Sequence, residues 1–150
     1  MTTGRGGPRR GAGRPAARRA RVLHREREVV PSGYPVHVTP RVRRGLPVLR
    51  TKRMVRALRR TFAVGCERGE FRLVHYSLQR NHLHAIVEAQ GKDALGRGMK
   101  SLGARFARAV NRVFSRGGSV LDGRYHSVVL RSPTQVRHAL RYVLLNARHH

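Results

Sequence analysis

The chain has 150 residues and carries 33 Lys and Arg against 7 Asp and Glu, a formal net charge of +26. That length holds one domain, or one domain with a tail, and so large an excess of one sign repels itself in a compact fold unless a polyanion such as DNA or RNA neutralises it. The single cysteine, Cys66, excludes an intrachain disulfide and a cysteine-rich zinc module, and with only seven carboxylates a metal site built from clustered acids is not expected.

Residues 1 to 32 are mostly Gly, Pro, Ala and Arg, and positions 1–21 hold seven arginines and no acid. This composition predicts a disordered basic arm that contacts phosphates non-specifically. The arm lacks the apolar core of a signal peptide, and the apolar runs elsewhere fall far short of the about 20 residues of a membrane span. No membrane partner is therefore expected, and the lone cysteine suits a reducing cytoplasm. The folded domain is expected over residues 33–150.

Tyr34 to Val42 alternates and is rich in β-branched residues, which predicts a first strand; Pro35 and Pro40 make it an edge strand or a bent one. Arg50 to Cys66 reads as a helix, with Met54, Leu58 and Phe62 recurring every fourth residue among arginines. Glu70 to Gln79 is a second strand and Asn81 to Ala89 a third, close enough for a tight hairpin at Gln79-Arg80. The segment from Asp93 to Ser115 has the clearest helical pattern: Leu95, Met99, Leu102, Phe106, Val110 and Val113 form one stripe, with Arg97, Lys100, Arg105, Arg108 and Arg112 opposite. Arg124 to Leu130 is a fourth strand. Ser132-Pro133-Thr134-Gln135 is a capping box with Pro at the first helical position, so a last helix starts there and runs to about Arg148. Val136, Ala139, Leu140, Val143 and Ala147 are its buried stripe, with Tyr142 and Asn146 together beside it.

The order β-α-β-β-α-β is the split βαβ, ferredoxin-like arrangement of an α+β domain, an antiparallel sheet with two helices on one face. The added C-terminal helix is free to lie elsewhere.

The third strand contains Asn81-His82-Leu83-His84. Alternation along a strand points His82 and His84 to one face and Leu83, Ala85 and Val87 to the other. Two imidazoles so placed can grip one divalent ion, which in so basic a chain would polarise a nucleic-acid phosphate. A lone His-x-His is a weak signal, and two strand histidines with no ligand are the plain alternative. Glu88 is in phase with them, with strand-end solvation as its plain reading. Single-strand RNA binders of this fold display aromatics on central strands, and this strand has none.

The ordered set of motifs resembles the single-tyrosine HUH transposases, and more narrowly the REP-associated tyrosine transposases of bacteria. The matching pieces are His37-Val38-Thr39-Pro40-Arg41, Asn81-His82-Leu83-His84, the helix ending in Asn111, the stretch from Gly118 to His126, and Arg141-Tyr142-Val143-Leu144-Leu145-Asn146. The resemblance implies that His82 and His84, completed by Asn146, bind Mg²⁺ or Mn²⁺. It implies that Tyr142 is the nucleophile that cleaves and rejoins single-stranded or hairpin DNA through a 5′-phosphotyrosine link. Arg80, Arg124, Arg141, Lys100 and Arg108 are expected on the DNA. A homodimer is compatible with the resemblance, as is a bacterial, nucleoid-associated location. The chain ends four residues after Asn146, where such proteins commonly continue. The alternative reading is accordingly a truncated or domesticated relative of the same fold, a basic nucleic-acid-binding protein without catalysis.

Overall fold

The computed structural model describes residues 29–64 and 67–148. The elements run β1 (Val36–Thr39), α1 (Lys52–Ala63), β2 (Glu67–Arg68), β3 (Phe71–Leu78), β4 (Leu83–Ala89), α2 (Lys92–Val113), β5 (His126–Val129) and α3 (Pro133–Arg148). The sheet order is β2-β3-β4-β1-β5, and every pairing is antiparallel. Setting aside the two-residue β2, which the sequence did not announce, this is the expected split βαβ order.

The first strand corrects an expectation. β1 is central, between β4 and β5, so of the edge and bent alternatives that its prolines raised, the edge one fails. The reason is that Pro35 and Pro40 bracket the four-residue ladder instead of interrupting it. Neither proline can return the N–H of its pair, but both still accept: Leu130 N–H bonds the Pro35 carbonyl at 2.8 Å and Leu83 N–H the Pro40 carbonyl at 3.0 Å. Beyond Pro40 the chain regains the sheet through single bridges from Arg41 to His82 and from Val42 to Leu121.

Two apolar layers follow from strand alternation. On one face Leu83, Ala85 and Val87 are fully buried against α1 (Met54, Leu58, Phe62) and α2, whose six predicted stripe residues are all buried. Gly98 of α2 lies so close to the Phe71 ring that a Cβ there would sit 2.1 Å from it. Phe62 meets Tyr76 edge-to-face at 5.0 Å, which makes Tyr76 a packing residue. On the other face Ile86 packs with Leu130 and with Ala139 and Val143 of α3, flanked by Val136 and Leu140. The third helix thus covers the second side of the sheet. Its capping box is reciprocal: Gln135 N–H donates to Ser132 Oγ and Ser132 N–H to Gln135 Oε1, both at 3.2 Å.

The predicted arm lies outside the described residues as far as position 28. Val30, assigned to that arm, is 6% exposed and belongs to the main core, so the packed body begins ahead of Gly33. Among the described residues no helix is long and apolar enough to cross a membrane.

Candidate active site

A two-residue turn, Arg80-Asn81, joins β3 to β4, closed by a bond from Gln79 N–H to the His82 carbonyl at 2.8 Å. It delivers His82 and His84 to the face that α3 covers. Their Nε2 atoms are 3.0 Å apart. His82 Nδ1 lies 2.7 Å from Asn81 Oδ1, so Nδ1–H donates there and leaves the His82 Nε2 lone pair directed at His84. On the far side of His84, Nδ1 is 3.2 Å from His37 Nε2 and 3.3 Å from Thr39 Oγ1. His84 can therefore donate from Nε2 to His82 while accepting at Nδ1. With its proton on Nδ1 it instead donates to Thr39 or His37, and both Nε2 lone pairs are free.

That second arrangement fits a divalent ion. Two nitrogens bound about 2.1 Å from one ion at right angles stand about 3.0 Å apart. Each ring would have its other nitrogen tied by a neighbour, the usual support of a ligating imidazole. Burial, then the neighbouring His82 and His37, push the His84 imidazole down to about 4. Burial and Arg41 lower His82; burial and His126 lower His37. At neutral pH the cluster is uncharged, as ligands must be. Among the described residues no group of three or more His, Cys, Asp or Glu is arranged to hold a metal.

Tyr142 stands over this cluster. Its ring centroid is 4.9 Å from that of His84, nearly perpendicular at 81°, and 6.2 Å from that of His37. The ring is 50% exposed, open to a ligand from outside, while Val143 beside it is fully buried and anchors the helix. Asn146 follows one turn later. Its carbonyl accepts from Arg50 Nη2 at 2.8 Å, and Arg50 also donates to Gln79 Oε1 at 3.3 Å. Gln79 in turn donates to Ser77 Oγ, opposite His84 in the ladder. Arg50 thus ties the end of the tyrosine helix to the hairpin that carries the histidines.

The other sequence-predicted residues divide by location. Arg80 lies in the hairpin turn, Arg141 adjoins Tyr142, and Arg124 precedes β5; all three are exposed. Lys100 and Arg108 are exposed on α2, across the sheet from the histidines, and the structure does not bring them to the site. Glu88 is engaged by Arg72, whose Nε donates to it at 3.0 Å. His37, Thr39 and Asn81 were not foreseen as site residues. His37 and Thr39 reach His84 only because β1 pairs with β4, a long-range contact; all three residues sat in the motifs that carry the resemblance, and that was the signal that could have found them.

Comparison with known proteins adds a family. A family model described as "Transposase IS200 like" matches residues 32–143. Among solved structures, a REP-associated tyrosine transposase bound to a REP hairpin shares the fold with a TM-score of 0.63 at 19% identity, covering 83% of this chain and 72% of that one. A Deinococcus radiodurans R1 protein assigned as a transposase aligns with a TM-score of 0.51 at 16% identity, covering 75% of this chain and 89% of that one. No curated protein matches.

Proposed function

The chain belongs to the family of IS200-like transposases, and from that premise we propose that it cleaves and rejoins single-stranded DNA through a 5′-phosphotyrosine intermediate formed by Tyr142. The observation that carries this reading is the Tyr142 ring, half exposed, set 4.9 Å from a His84 whose Nε2 converges with that of His82. Hairpin DNA is the proposed substrate, since a solved protein of the same fold is bound to a REP hairpin.

In the proposed reaction Tyr142 Oη attacks the scissile phosphorus. The new bond is Tyr142 Oη–P and the broken one P–O3′; the proton leaving the tyrosine is balanced by the one taken up by the departing 3′ oxygen. Attack by a 3′-OH on the phosphotyrosine reverses the exchange, so no nucleotide is hydrolysed. His82 and His84 would hold Mg²⁺ or Mn²⁺, and Asn146, one turn from Tyr142, is the proposed third protein ligand. When bound, such an ion polarises the phosphate and stabilises charge on its oxygens. Asn81, Thr39 and His37 keep the two imidazoles aimed, and Arg50 holds the tyrosine helix against the hairpin. Arg80, Arg124 and Arg141 are proposed phosphate contacts. All these groups come from one chain, so the reading requires no residue of a second copy. A bacterial, nucleoid-associated location is proposed with it.

The test is covalent capture. Labelled hairpin DNA from the flanks of the coding sequence is incubated with protein and Mn²⁺ or Mg²⁺, then run on a denaturing gel. A metal-dependent shifted band that vanishes in Tyr142→Phe is expected. A band that persists in Tyr142→Phe rejects the nucleophile; tight binding with no band on any flank favours the inactive DNA-binding alternative.

A further inference from the structure

The His84 ring has a second set of neighbours on the side away from His82. Its Nδ1 lies 3.2 Å from His37 Nε2 and 3.3 Å from Thr39 Oγ1. We propose that these three atoms form a second metal site, suited to Zn²⁺, and that filling it closes the His82–His84 pair to Mg²⁺ or Mn²⁺. The closure rests on the metal role given to that pair in the proposed function; the second site itself does not.

The strand ladder assembles the donors. β1 pairs Val38 with Ala85, and past Pro40 a bridge joins Arg41 to His82. That register sets Thr39 opposite His84, and alternation puts His37, two residues back, on the same face. Val36 and Val38 point the other way and are fully buried, which fixes the strand. His84 is buried, and His37 and Thr39 are half-buried. All three donors are thus seated by the sheet and not by loops.

The spacing suits one ion. Donors bound about 2.1 Å from zinc and separated by 3.2 or 3.3 Å subtend about 100°, near the tetrahedral angle. The His37 and His84 ring centroids are 5.2 Å apart, less than two imidazoles laid in line across that nitrogen gap would show, so their lone pairs meet at an angle. Two imidazoles and a hydroxyl, with water as the fourth ligand, are a donor set that Zn²⁺ accepts. The His82–His84 side differs. It opens past the half-exposed Tyr142, where phosphate and water oxygens can complete the octahedron that Mg²⁺ demands.

The two sites exclude each other because they need opposite tautomers of one ring. Zinc on His84 Nδ1 leaves the ring proton on Nε2. That N–H donates to His82 Nε2, 3.0 Å away, so neither nitrogen of the pair keeps a free lone pair. An ion held between His82 and His84 instead puts the His84 proton on Nδ1, aimed at His37 and Thr39. The position of one proton therefore decides which site exists, and zinc acts as a brake without taking the seat of the other ion.

The experiment measures metal binding by the full chain without DNA, so it reads nothing of the Tyr142 chemistry. Mn²⁺ is followed by the electron paramagnetic resonance of the free ion, and Zn²⁺ by competition with a chromophoric chelator. His84→Ala removes both sites, and whatever zinc it still binds is subtracted as background. In the parent chain Zn²⁺ is expected to displace Mn²⁺ one for one. His82→Ala should lose Mn²⁺ and keep Zn²⁺. His37→Phe should lower the ratio of Zn²⁺ to Mn²⁺ affinity about tenfold or more, at least the loss that follows removal of a supporting group. Thr39→Val should lower the same ratio, and it serves where His37→Phe reduces the melting temperature. Zinc binding no stronger than in His84→Ala would mean a plain hydrogen-bonded chain and overturns the site. So does zinc that is lost in His82→Ala but kept in His37→Phe, since it then sits in the pair. Both ions bound together in the parent chain overturn the exclusion. Mn²⁺ binding that survives His82→Ala counts against the proposed His82–His84 pair instead, while the zinc arms still decide the second site.

Discussion

Asn81 and the histidines show how few atoms define the site. Asn81 Oδ1 takes the His82 Nδ1 proton and so fixes which nitrogen is free. Asn81→Ala should leave the fold intact, because the residue is exposed, yet weaken Mn²⁺ binding about 10-fold or more, as losses of such supporting groups do. Titration of Mn²⁺ by electron paramagnetic resonance without DNA reads this directly; unchanged affinity would remove Asn81 from the site. The same cluster links stability to pH. His84 titrates at about 4 in the fold and near about 6.5 in an unfolded chain. It is faced by His82, His37 and Tyr142, with Arg41 acting on His82 and His126 on His37. Between those two values unfolding takes up a proton. The stability tied to a neutral His84 is thus fully present above about pH 6.5 and lost as the pH falls toward 4. The lowered values of His37 and His82 act in the same direction. In EDTA the urea midpoint should therefore drop on going from neutral pH to the lower end of that window, and a midpoint that holds or rises contradicts the neutral cluster.

The third helix and the sheet face beneath it decide whether those atoms meet the tyrosine. Val143, fully buried against Ile86 and Leu130, is the peg that seats α3. Val143→Ala removes two methyl-sized groups at about 0.8 kcal/mol each, with a cavity term added. It should cost about 2 kcal/mol and slow adduct formation beyond what unfolding explains, since Tyr142 is the adjacent residue. Gly98→Ala on the opposite face offers the contrast. Its Cβ would run into the Phe71 ring, so the ring or α2 must shift, at about 1–3 kcal/mol. Adduct formation by the folded fraction should be little changed, and denaturant melts paired with single-turnover capture separate the two variants. The elements themselves were largely legible in the sequence because their signals are local. The α2 stripe and the Ser132–Gln135 box appear as read. What the sequence withheld is non-local. The prolines around Val36–Thr39 suggested an edge, since nothing local tells whether a proline lies in a ladder or beside it. The exposed face of α2, with Lys100 and Arg108, was recognisable as basic, but not as standing across the sheet from the histidines.

The charge of the protein acts over the longest range and sets how it meets DNA. Of 33 Lys and Arg in the chain, Arg72 and Arg97 are held in ion pairs with Glu88 and Glu70. The remaining described cations are not spread evenly with respect to the site. Lys52, Arg56, Arg59 and Arg80 line one groove, and Arg124 and Arg141 lie on elements at or near the catalytic face. If those six each neutralise one phosphate of a single strand, the logarithm of affinity should fall with the logarithm of salt at a slope of about −4, at about 0.7 per contact. Raising monovalent salt from about 50 to about 200 mM would then weaken binding roughly 300-fold. Neutral substitution of Lys100 and Arg108 tests the placement, because residues across the sheet from the strand should leave this slope within experimental error. A slope that flattens by about 1.4 on losing that pair would mean that DNA wraps onto α2 as well. A flat response of the parent chain would mean that the basic surface around Tyr142 is not where the strand lies.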